Sequence, residues 1–135
     1  MQLCRSATAL ILAAVIGIGG LSACSGGSDA VTAVAPSDAV AVMAEPGVAV
    51  LDVRTPAEFA TGHLAGAVNV DLEGGEFDQQ VADLPKDTTY VVYCRSGNRS
   101  GVATKQLAEL GFTDVYDIQG GIVAWQAGGG AVVTD

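Results

Sequence analysis

The stretch Tyr90-Val91-Val92-Tyr93-Cys94-Arg95-Ser96-Gly97-Asn98-Arg99-Ser100-Gly101 decides how this chain folds. Its first four residues are apolar and β-prone, with no polar alternation, as in a strand buried on both faces. Its end opens a helical pattern over residues 100–110 that stops at Gly111, a natural residue just past a helix. Between the two lies a loop of short polar residues and glycine carrying one cysteine. A buried strand that runs through a short loop into a helix is the repeating unit of a parallel sheet, because parallel neighbours need a crossover connection.

The same alternation extends outward in both directions. Short Val-rich runs occur at 31–34, 48–51, 68–70 and 115–118. Helical signals lie between them. Pro36-Ser37-Asp38 opens a helix that ends at Pro46-Gly47, and Thr55-Pro56 supplies a cap and a proline at the first helical position. Residues 76–84 are bounded by Gly75 and Pro85, and residues 122–127 follow Gly120-Gly121. Residues 31–127 therefore read as one α/β domain with a mainly parallel sheet covered by helices. Gly128-Gly129-Gly130 begins a tail, 128–135, expected to be loose.

The chain has 135 residues with 6 Lys+Arg, 15 Asp+Glu and one His, a formal net charge of −9. That length suits one domain. The charge excludes the basic face of a nucleic-acid binder and a polybasic attachment to anionic lipid. The apolar residues are uneven, because residues 1–23 hold 15 of them with one Arg and no acid. A charged start, Met1 to Arg5, precedes an uncharged apolar stretch over 7–21 and small residues before Cys24, the pattern of a secretory signal. Leu21-Ser22-Ala23-Cys24 resembles the lipobox of bacterial lipoproteins. That resemblance implies lipid on Cys24, removal of residues 1–23, and a chain held on the exported side of the cell envelope. An uncut membrane helix is the other reading, against which the glycines at 17, 19 and 20 weigh. Residues 24–30 then form the lipidated Cys and a flexible tether.

Cys4 leaves with the leader and Cys24 is blocked, so Cys94 is the one free thiol of the mature chain. Its position, at the carboxyl end of a buried strand, is where such sheets place ligand sites. The N–H groups of Arg95, Ser96, Gly97, Asn98, Arg99 and Ser100 can curl around one point, and the following helix adds its positive end. Arg95 and Arg99 add two guanidinium groups. Each effect favours a thiolate on Cys94 and would hold an anion against it.

Taken together, four segments resemble the rhodanese family in its single-domain form. They are Leu51-Asp52-Val53-Arg54-Thr55-Pro56-Ala57-Glu58-Phe59, Gly62-His63-Leu64-Ala65-Gly66-Ala67-Val68-Asn69-Val70, the loop from Tyr93 to Ser100, and Gly120-Gly121-Ile122-Val123-Ala124-Trp125. They occur in family order and cover nearly all of the globular part. The resemblance implies a rhodanese-like α/β fold, a five-stranded mainly parallel sheet with helices on both faces. It implies a sulfurtransferase in which Cys94 takes sulfane sulfur from thiosulfate or a persulfide and passes it to cyanide or a thiol. Residues 95–100 would bind the anionic donor. No cofactor is implied, and the expected state is a monomer. One His and one free thiol make no metal set.

Among the other matched residues, Asp52 is expected to cap the turn or pair with Arg54. Arg54 and Glu58, four apart across a helix start, are expected to form a local ion pair. His63 reads as a hydrogen-bonding brace and Trp125 as a core anchor. The rival readings are a non-enzymatic anchored module that stores sulfane sulfur or binds a partner, and a Cys-dependent phosphatase or arsenate reductase. A phosphatase loop places its Arg six residues after the Cys. Here that position is Ser100, and Arg99 comes one residue earlier, which makes a smaller cradle.

Overall fold

The strand Tyr90–Tyr93 is buried at every position, so its side chains need cover on two faces and its backbone needs partners on two edges. It is β4, and it sits at the centre of the sheet. In the computed structural model, which describes residues 29–135, the other elements are β1 (Val31–Val34), α1 (Pro36–Met43), β2 (Ala49–Asp52), α2 (Pro56–Ala60), β3 (Ala67–Asn69), α3 (Phe77–Ala82), α4 (Asn98–Glu109), β5 (Val115–Ile118) and α5 (Gly121–Ala127). The five strands are ordered β1-β5-β4-β2-β3, and every pairing is parallel. The leader, Cys4 and Cys24 lie outside the described residues. Among the described residues no helix is long and apolar enough to cross a membrane.

The pleat of β4 divides the core in two. Tyr90, Val92 and Cys94 face a cluster closed by Phe77 and Val81 of α3 and by Ala103 and Leu107 of α4. Val91 and Tyr93 face the opposite cluster, with Ala39 of α1 and Ile122 and Trp125 of α5. The two tyrosines can be buried because each hydroxyl is used. Tyr90 donates to the Pro85 carbonyl at 2.9 Å, and Tyr93 accepts from the Leu64 N–H at 3.0 Å.

Local signals act where the sequence places them. Thr55 and Glu58 form a capping box with Pro56 at the first position of α2. α4 begins at Asn98, two residues before the expected start, because Gly97 turns the chain with φ of 102° and serves as its N-cap.

The tail differs from expectation. Residues 128–135 are not loose: Val133 and His63 exchange backbone hydrogen bonds at 2.8 and 2.9 Å, and the Ala131 carbonyl accepts from Trp125 Nε1 at 2.9 Å. The backbone N–H and carbonyl of His63 would otherwise be unpaired, and the tail supplies their partners.

Candidate active site

Cys94 stands where β4 ends and is 1% exposed. The loop after it is held from behind by α5. The Ile122 N–H donates to the Cys94 carbonyl at 2.9 Å, and the Val123 N–H to the Arg95 carbonyl at 3.2 Å. With these carbonyls turned to α5, the opposite edges of the same peptide planes, which carry the N–H groups, turn toward the sulfur. Gly121 makes this approach possible. Its φ is +59°, and a Cβ there would run into the carbonyls of Cys94 and Arg95.

The sulfur is accordingly surrounded by donors. The Gly97 N–H points at Cys94 Sγ with N···S of 3.0 Å, and Ser100 Oγ lies 3.6 Å from it. Burial alone pushes the Cys94 thiol pKa up. The Ser100 hydroxyl and the N–H groups of Ser100, Gly97 and Ser96 outweigh it, and the net shift is down. The first turn of the twelve-residue α4 lies directly beyond, with its positive end toward the loop.

The two arginines of the loop separate. Arg95 is exposed and, with Arg54, Glu58, Thr61 and Gln126, lines a groove of about 320 Å³ beside the loop. Arg99 is held by two carboxylates. Its NH1 and NH2 donate to the two Glu58 oxygens at 2.7 Å each, and NH1 also reaches Glu73 at 3.2 Å. The Arg99 hydrogen bonds hold the Glu58 carboxyl at a pKa of about 2. Among the loop residues, Ser96 and Asn98 are exposed, while Ser100 is buried with its hydroxyl also on the Gly97 carbonyl at 3.2 Å.

This arrangement corrects one expectation. Arg54 and Glu58 do not pair with each other. Arg54 Nε donates to Asp52 Oδ1 at 2.9 Å, in a pair 5% and 0% exposed, and its NH2 reaches the Gly62 carbonyl at 2.7 Å. Glu58 is taken by Arg99. Asp52 ends β2 pointing inward, where an unpaired carboxylate is untenable, so the buried acid takes the nearer base. Glu58 and Glu73 lie 41 and 26 residues from Arg99, so no local spacing in the sequence marks them as partners of the loop. His63 stacks on Phe59 and shares a hydrogen bond with its carbonyl at 3.0 Å. Trp125 is 9% exposed in the core.

A buried thiol at the end of a central parallel strand, cradled by loop N–H groups and a helix N-terminus, defines a class of α/β domains with a cysteine loop at the carboxyl edge of the sheet. The chain belongs to the rhodanese-like domain family, which it matches over residues 35–128. It is 37% identical over 92 residues to the thiosulfate sulfurtransferase GlpE of Pseudomonas putida, a match covering 68% of this chain and 82% of that protein. It is 40% identical over 77 residues to the probable adenylyltransferase/sulfurtransferase MoeZ of Mycobacterium tuberculosis, covering 57% of this chain but only 20% of that longer protein. A rhodanese-related protein from Thermoplasma volcanium superposes with a TM-score of 0.68 at 32% identity, over 76% of this chain and 98% of that one.

Proposed function

We propose that this protein is a rhodanese-type sulfurtransferase that moves sulfane sulfur from thiosulfate or a persulfide donor to a thiophilic acceptor through a persulfide on Cys94. The observation that carries the reading is the Gly97 N–H aimed at Cys94 Sγ, within a loop whose other N–H groups lower the same pKa. The similarity to proteins named sulfurtransferase and thiosulfate sulfurtransferase supports the reaction class.

In the first half-reaction the Cys94 thiolate attacks the outer sulfur of thiosulfate. The S–S bond of the donor breaks, and sulfite leaves with the electron pair. The new terminal sulfur carries a negative charge that the loop N–H groups and the α4 N-terminus stabilise. In the second half a cyanide or thiolate acceptor attacks that terminal sulfur, and the Cys94 thiolate is regenerated. Two displacements through one covalent intermediate give ping-pong kinetics. Arg95 is the exposed cation that draws in the donor, and Arg99 braces the loop through Glu58.

Intact mass tests the reading. Incubation with thiosulfate should add one sulfur, removed by cyanide and absent in Cys94→Ser. No adduct with any sulfane donor sinks it, and phosphatase activity without a persulfide would promote the rival reading.

We further propose that the domain is lipid-anchored at Cys24 on the exported side of the envelope, with residues 1–23 removed. The support is the charged start, the apolar stretch and the Leu-Ser-Ala-Cys ending. Cys24→Ser should release the protein from membranes in fractionation, whereas unchanged attachment would favour an uncut helix.

A further inference from the structure

The loop's own arginine carries one carboxylate more than it needs. All the strand pairings are parallel, so the segment that leaves β3 lies on the same edge of the sheet as Cys94 at the end of β4. It runs Val70-Asp71-Leu72-Glu73-Gly74-Gly75-Glu76 into α3. Asp71 Oδ1 accepts from the Glu73 N–H at 2.9 Å, a local turn that fixes where Glu73 leaves the chain. The Glu73 side chain is 61% exposed and takes a hydrogen bond from Arg99 NH1 at 3.2 Å.

Arg99 has a full partner without it. The two Glu58 oxygens accept from NH1 and NH2 at 2.7 Å each. Arg99 also belongs to the cradle. It stands in the chain between Gly97, whose N–H points at Cys94 Sγ at 3.0 Å, and Ser100, whose hydroxyl lies 3.6 Å from that sulfur. The Glu58 hydrogen bonds hold its guanidinium charged against burial, and the charges of Cys94 and Glu73 add to them.

The charges at the rim of the loop therefore cancel. Arg95 and Arg99 are positive, and Glu58 and Glu73 are negative. Arg54 beside them is neutralised by the buried Asp52. Without Glu73 the rim would keep one positive charge to meet an anion. Coulomb energy is proportional to the charge of the approaching donor, so this carboxylate opposes a dianion twice as strongly as a monoanion.

We infer that Glu73, through its contact with Arg99, selects the sulfur donor by charge, turning the site from dianionic thiosulfate toward donors with one negative charge, of the organic persulfide class. The inference rests on the sulfur-transfer reading above and narrows its donor. In the favoured step the Cys94 thiolate attacks the outer sulfur of R–S–S⁻. The S–S bond of the donor breaks, R–S⁻ leaves with the electron pair, and Cys94 keeps the terminal S⁻. Two negative charges enter and two remain, whereas thiosulfate would bring the total to three. Glu73 touches no reacting atom and is a positioning residue that acts on the charge of Arg99.

The test is Glu73→Gln in the full chain, an exposed change that leaves the core untouched. Cys94 is alkylated with iodoacetate, which is anionic, and with iodoacetamide, which is neutral, and the Cys94 peptide is followed by mass spectrometry. At low salt the iodoacetate-to-iodoacetamide rate ratio should rise about twofold in the variant, the effect of one charge about 10 Å away in water. In about 0.5 M salt the difference should vanish, because screening is then nearly complete at that distance. An equal ratio in the two proteins, or a difference that salt leaves in place, overturns the inference. Turnover extends the test. The variant's kcat/KM should rise about fourfold with thiosulfate and about twofold with 2-hydroxyethyl persulfide, since the factor squares with the second charge. Equal factors for the two donors also overturn it. Alkylation needs no sulfur donor, so failure to form a persulfide would remove the reaction and leave the charge effect readable. An unchanged alkylation ratio in a chain that does form a persulfide would remove the role of Glu73 alone.

Discussion

Among single residues, Gly121 shows how much of the site depends on one missing atom. The left-handed backbone at this position costs a side-chain-bearing residue roughly 1–2 kcal/mol, and the Cβ would also meet the backbone carbonyls of Cys94 and Arg95. Those atoms are held by α5 and do not yield easily. Gly121→Ala should therefore destabilise the fold by more than about 2 kcal/mol and slow Cys94 alkylation at neutral pH by disturbing the N–H cradle. Urea unfolding together with the alkylation rate checks both, and an unchanged rate would mean that the loop geometry does not depend on α5. The Gly120-Gly121 pair was legible in the sequence as a tight strand-to-helix turn. That the second glycine faces the Cys94 carbonyl was not, because that contact joins residues 27 apart in the chain.

For the secondary-structure elements, the Glu58–Arg99 pair ties α2 to α4 across the mouth of the site. A carboxylate held at about 2 instead of 4.5 contributes stability that is fully present above the unfolded value and is lost as pH falls through the folded one. The pair is a quarter to a third exposed, so its contribution at neutral pH is about 1 kcal/mol. Glu58→Gln should lose that amount at pH 7 and flatten the fall in stability between pH 5 and pH 2. Urea denaturation at several pH values would show it; a variant as acid-sensitive as the wild type would assign the acid loss to other carboxylates. The sequence displays the capping box that places Glu58, since Thr55 and Glu58 are three residues apart. It does not display Arg99 as the partner, and local spacing pointed to Arg54 instead. The buried Asp52 claims Arg54 first, and only the packing of β2 beside the Gly62 turn makes that acid buried.

In the whole molecule, the docked tail closes one side of the second core. Ala131 satisfies the indole N–H of Trp125, and Val133 pairs with His63. Trp125 is the only tryptophan, so its fluorescence reports on this end of the molecule without interference. Deleting residues 131–135 should red-shift the emission and cost about 1–3 kcal/mol from the hydrogen bonds left unmade. An unchanged spectrum and midpoint would mean that the tail adds nothing to the core. The sequence by itself determined the alternation of strands and helices, the central buried strand and the cysteine loop that follows it. These depend on periodicity, caps and turn residues acting over a few positions. Only the tertiary structure decided that Arg99 faces Glu58, that Gly121 abuts the Cys94 carbonyl, and that the glycine-rich tail docks. Each of those is a contact between residues far apart in the chain, set by which buried charge or open backbone group the fold brings within reach.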